Sequence, residues 1–143
     1  MYRALAESIL EFQSGLAHTN RAEDRSTAAT YLAALAPLLA RATLGDDILR
    51  DIPTVERLFG TTWIIDDHPF ENAFTKWREF VSTYSQHALG GMTVNERLVA
   101  MNLLDDFDAA SKRHDTATIR DILRRLYLDE SSIEAILRRT NDA

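Results

Sequence analysis

Apolar residues recur along this chain at the three- and four-residue steps of an α-helix, and almost nowhere at the two-residue step of a strand. Leu5, Ile9, Phe12 and Leu16 predict a first helix from about Tyr2 to Ala17, followed by a turn at His18-Thr19-Asn20. A second helix is expected to start near Asp24 or Ser26 and to carry Ala28, Tyr31, Leu32, Leu35, Leu38 and Leu39. Pro37 interrupts it, and an interior proline costs about 3 kcal/mol or kinks the rod. Two helical pieces, with Pro37 in the first turn of the second, reconcile the pattern with the proline. Gly45-Asp46-Asp47 then reads as a stop and a cap, and Pro53 suits the start of a short helix with Ile52, Val55, Leu58 and Phe59 inward.

Thr61 to Ile65 is the one β-like run. A lone strand would leave its backbone groups unpaired, so an apolar linker pressed on the core is expected there. Asp66-Asp67-His68-Pro69 marks the start of a long helix, along which Phe70, Phe74, Trp77, Phe80, Val81 and Tyr84 share a face. An aromatic stripe of this kind is expected to be core rather than a groove. Gly90-Gly91 ends the helix and offers a hinge.

Beyond it, Thr93-Val94-Asn95-Glu96 matches a capping box, and Val94, Leu98, Met101, Leu104 and Phe107 continue at helical steps. Asp115 and Asp129 are placed to cap two more helices carrying Ile119, Ile122, Leu123 and Leu126, then Ile133, Ile136 and Leu137. The expectation is an all-α bundle of about six to seven helices in one domain, residues 1–143, closing with a three-helix unit.

Composition narrows the chemistry. Sixteen basic and 22 acidic residues give a net charge of −6. Neither the first 92 residues nor the remainder is basic, so phosphate neutralisation has no footprint and nucleic acid is not expected as a direct ligand. There is no cysteine, hence no disulfide, thiolate nucleophile or cysteine-ligated metal. No apolar secretory segment opens the chain, and the most apolar run, Tyr31 to Ala40, is half the length of a bilayer span. Together these features suit a cytoplasmic protein.

His18, His68, His87 and His114 each fall at a predicted helix end, and none has a second histidine three or four residues away, as helical zinc sites require. A phosphate-binding loop, a nucleophile elbow and a dinucleotide fingerprint are all missing. Neither a catalytic residue nor a cofactor is assigned. Asp105 and Asp108 are helical neighbours and could share a cation, but no facing acidic motif completes a cage, so no metal is assigned. The acids instead gather in three clusters: Asp46, Asp47 and Asp51; Asp66, Asp67 and Glu71; Asp105, Asp106 and Asp108. Such clusters speed encounter with a cationic protein and are the candidate partner-binding residues.

The segment Gly90-Gly91-Met92-Thr93-Val94-Asn95-Glu96-Arg97-Leu98, continued by Leu103-Leu104-Asp105-Asp106-Phe107-Asp108, resembles small uncharacterised bacterial proteins with a G-G-M-T-V-N-E-R-L stretch and an acidic L-L-D-x-F-D helix. The likeness covers about the last 50 residues, together with the Trp63-Ile64-Ile65-Asp66 approach to the preceding helix, and carries over no catalytic residue. Proteins of this general type include immunity proteins of bacterial toxin systems. With the net charge of −6 and the three acid clusters, this association by type leads to the expectation of a non-enzymatic module that neutralises a basic toxin domain. The competing expectations are a small enzyme or metal-binding domain with its site near Asp105 and Asp108, and a homodimeric scaffold.

Overall fold

The computed structural model, which describes residues 1–142, is all-helical. Its helices are α1 (Arg3–His18), α2 (Ala22–Thr43), α3 (Ile52–Thr61), α4 (Glu71–Leu89), α5 (Val94–Ala100), α6 (Leu104–Lys112), α7 (Thr116–Arg125) and α8 (Glu130–Asn141). A single 3₁₀ turn at His68–Phe70 leads into α4. The described residues contain eight α-helices and no strand, slightly more helices than the sequence pattern predicts. They divide into two compact units, Met1–Tyr84 and the residues from Ser85 onward, so that the division falls within α4.

In the first unit, α1 packs on α2 and on the 3₁₀ turn, and α2 packs on α3. The contact face of α1 uses small residues. Gly15 lies under the Phe70 ring and the Pro69 carbonyl, where an added Cβ would collide. Ser8, fully buried, donates its hydroxyl to the Ala73 carbonyl at 2.8 Å, which removes the cost of leaving that hydroxyl unpaired. The predicted aromatic stripe is core. Phe70, Trp77 and Phe80 are buried and meet Phe12, Tyr31 and Phe59 in a chain of edge-on and tilted contacts with ring centroids 4.6–6.2 Å apart. The buried Trp77 indole donates to Glu56 at 2.7 Å.

Pro37 does not divide α2, which runs unbroken for 22 residues. Pro37 and Ala33, whose carbonyl loses its helical donor to the proline, both face solvent. On the opposite face Tyr31, Leu35, Leu38 and Ala42 are buried, and their burial outweighs one lost hydrogen bond. The helix also begins earlier than its acids suggest, at Ala22, with no side-chain cap. Asp24 does not cap it.

The second unit is built from short helices around an aliphatic core of Leu98, Leu103, Ala110, Ile119, Ile122, Leu123, Leu126, Ile133 and Leu137. The capping box is present: Glu96 N–H donates to the Thr93 hydroxyl at 3.3 Å and Thr93 N–H to the Glu96 carboxylate at 2.6 Å. Asp115 accepts from Thr118 N–H at 3.1 Å and Asp129 from Ser132 N–H at 2.7 Å, as expected of N-caps. These bonds hold the Glu96, Asp115 and Asp129 carboxyls below their usual range; the largest cause is the Thr93 N–H for Glu96, the Thr118 hydroxyl for Asp115 and the Ser132 N–H for Asp129.

One expected helix is two. The apolar steps from Val94 to Phe107 run through a break at Met101–Leu103, where Asn102 takes a left-handed conformation at φ 55°. Leu103 N–H then returns to the Leu98 carbonyl at 2.8 Å, the six-to-one bond of a Schellman ending. His114, φ 54°, does the same after α6, with Asp115 N–H on the Ala110 carbonyl at 2.9 Å, and Tyr127 is left-handed, φ 59°, after α7. Arg97 reaches from α5 to the Leu126 carbonyl at 2.8 Å, satisfying one end of α7. The predicted three-helix unit is thus a four-helix one.

Candidate functional site

The three acidic clusters differ in what their charges already do. In the first, Arg41 lies 2.9 Å from Asp51 and 3.6 Å from Asp46, and Asp51 above all raises the Arg41 guanidinium further above its usual range. Asp47 accepts from Leu49 N–H at 2.9 Å and from the Tyr84 hydroxyl at 3.3 Å, while that hydroxyl accepts from Ile48 N–H at 3.1 Å. Burial is the main cause that pushes the Tyr84 phenol upward, with the Asp47 charge adding to it. This cluster secures the turn between α2 and α3.

In the second cluster Asp66, Asp67 and Glu71 are all exposed. Asp66 accepts a long bond from His68 N–H at 3.4 Å, and His68 lies 3.6 Å from Glu71. Among the described residues no lysine or arginine pairs with any of the three. The third cluster, Asp105, Asp106 and Asp108 on α6, is also exposed and likewise makes no such pair. Asp105 and Asp106 lie in the first turn of α6, where the helix dipole favours them. Among the described residues no group of three or more His, Asp or Glu side chains is arranged to hold a metal. The four histidines sit at helix ends, and His18 Nδ1 lies 2.7 Å from the Ser14 carbonyl.

The segment before the second cluster departs from expectation. Of the apolar run Trp63-Ile64-Ile65, only Ile64 is buried; Trp63 is 76% exposed and Ile65 54%. Sequence reasoning placed all three against the core. What it could not anticipate is the task of Asp24, whose side chain is fully buried, with the guanidinium of Arg21 3.8 Å away. One Asp24 oxygen accepts from Ile65 N–H at 2.7 Å and the other from Asp66 N–H at 3.0 Å. Upstream, the Tyr31 hydroxyl contacts the Thr62 carbonyl at 3.1 Å and the Thr62 hydroxyl at 3.0 Å. The loop is therefore tied to α2 on both sides of its exposed residues. An aspartate at the third residue of a helix reads locally as a capping or dipole group, and the two backbone N–H groups it accepts from lie 41 and 42 positions away.

The second unit carries an open depression of about 650 Å³ whose lining includes apolar Val94 and Ile136 together with Lys112, His114 and Arg139. Lys112 and Arg139 lie in the last turns of α6 and α8, where cations offset the helix dipole. No known protein family, no curated protein and no solved structure matches the chain.

Proposed function

We propose that this chain is a non-enzymatic, acidic protein-binding module that works in the cytoplasm and neutralises a basic protein, of the kind exemplified by a bacterial toxin domain. The observation that carries the reading is the state of the second and third acidic clusters. Asp66, Asp67, Asp105, Asp106 and Asp108 are exposed, and no basic side chain among the described residues compensates them. Other acids are paired within the chain, as at Arg41 and at Arg120, which lies between Glu130 and Glu134. Uncompensated surface carboxylates steer a cationic partner and can occupy a cleft that would otherwise take a polyanion.

The test is retrieval from an extract of the source cells on immobilised chain, at low salt and at about 0.5 M salt, where exposed charges are screened beyond a few ångströms. The expected result is a basic protein retained at low salt and released at high salt, with weaker retention by a variant in which all five aspartates are asparagine. Recovery of no basic protein, or retention indifferent to salt, would end this reading.

A further inference from the structure

We infer that Trp63 and Ile65 form the apolar anchor of the binding surface, inserted into an apolar pocket on the cationic partner and held ready for it by the buried carboxylate of Asp24. The inference rests on the reading of the chain as an acidic binding module and adds where the partner is gripped.

Three observations converge on this loop. The first is what it exposes. Of the two tryptophans, Trp77 is buried and its indole is hydrogen-bonded, whereas Trp63 is 76% exposed beside an Ile65 that is 54% exposed. An exposed tryptophan keeps a large apolar surface in water, and tryptophan is the side chain most enriched where interfaces concentrate their binding energy. The second is that these side chains are displayed rather than loose. Asp24, Tyr31 and the burial of Ile64 fix the loop backbone at Thr62, Ile64, Ile65 and Asp66. A buried carboxylate holding two backbone N–H groups is a strong restraint, and a surface ordered before binding loses less entropy on association. The third is charge. Asp66 and Asp67 follow the anchor directly and Glu71 lies one turn on, all exposed. An apolar centre bordered by carboxylates fits one kind of occupant: a protein surface on which lysines and arginines surround an apolar cleft.

Anchor and border have separable kinetic roles. Loss of a central aromatic shows in the rate of dissociation, and loss of a rim charge shows in the rate of association and its salt dependence. Asp24 is a positioning residue that acts only through the loop.

The experiment places a photo-crosslinking phenylalanine analogue at position 63 and, as a control, at Leu10, which is 62% exposed on α1. Each version is illuminated in source-cell extract, and the captured protein is identified and purified. Capture of a basic protein from position 63 and not from position 10 is expected. With that purified protein, Trp63→Ala should weaken binding by about 30-fold or more through faster dissociation. The pair Asp66→Asn and Asp67→Asn should slow association several-fold and flatten its salt dependence. Asp24→Asn should lower the fluorescence anisotropy of the iodide-quenchable tryptophan and weaken binding, whereas circular dichroism of Trp63→Ala should match the parent. Capture from position 10 alone, or a Trp63→Ala affinity within about twofold of the parent, overturns the anchor and leaves the acidic module standing. If neither position captures a basic protein, salt-sensitive retention of one on the immobilised parent chain overturns the anchor alone, and its absence overturns the two together.

Discussion

The two units solve the same problem with different materials. Both tryptophans, three of the four tyrosines (Tyr2, Tyr31, Tyr84) and five of the six phenylalanines (Phe12, Phe59, Phe70, Phe74, Phe80) belong to the first unit. Its helices α1, α2 and α3 have no side-chain N-caps. The second unit has an aliphatic core and helices of seven to twelve residues, three of which start at a side-chain cap. The long helices α1 and α2, of 16 and 22 residues, gain enough from packing to do without help at their ends, while α5, α7 and α8 draw on their first turns. The lesson is that end chemistry and core chemistry trade against each other, and substitutions can test the exchange.

The largest effects should come from the cores. Phe12→Ala is expected to cost about 3–5 kcal/mol and Leu123→Ala about 2–5 kcal/mol in urea unfolding. Near-ultraviolet circular dichroism should follow the first loss and barely register the second, because the aromatic residues are so unevenly divided. Next is Gly15→Ala, whose new methyl would press on the Phe70 ring and stand 2.9 Å from the Pro69 carbonyl oxygen. Overpacking of this kind should cost about 1–3 kcal/mol, read as a lower urea midpoint, although alanine is the better helix former.

Acid should act mainly on the second unit. The capping carboxyls of Glu96, Asp115 and Asp129 are depressed in the folded chain from the ordinary values of 4.5, 3.8 and 3.8. Their contribution is therefore complete above those values and is lost as pH falls through the lower folded ones. Amide protection in α5, α7 and α8, taken relative to the unstructured-peptide rate at each pH, should fall below about pH 4, and Asp115→Asn with Asp129→Asn should flatten that dependence. The smallest expected effect is that of metal. Adding magnesium, manganese or calcium should leave the melting temperature of the parent and of Asp105→Asn unchanged. A rise in the parent that Asp105→Asn abolishes would favour a metal site on α6.

Helix by helix, what could be read from the residues was whatever the residues determine locally. Thr93, Asp115 and Asp129 announce their helices because a cap and its target lie three positions apart. The aromatic face of α4 declares itself by spacing. Pro37 misleads because its cost depends on whether the orphaned carbonyl faces water, which only the packed helix decides. The break at Asn102 is hidden because the apolar rhythm continues across it without a glycine or proline. Of the candidate site, the exposure of Asp66, Asp67, Asp105, Asp106 and Asp108 follows from their type, but the compensation of Asp46 and Asp51 by Arg41 does not. The display of Trp63 is least legible of all. Apolar residues are expected inside, and the restraint that holds these outside comes from a distant helix.

The left-handed residues between the short helices bear on how this chain could evolve. Asn102, His114 and Tyr127 occupy a conformation that glycine adopts freely and that costs an ordinary side chain about 1–2 kcal/mol, asparagine less. Glycine would in turn give up about 0.5–1 kcal/mol to the greater freedom of the unfolded chain. The balance is close to neutral at Asn102 and favours glycine at His114 and Tyr127. Two single substitutions thus stand open as reserves of stability, available to offset mutations elsewhere that remodel the surface for a new partner.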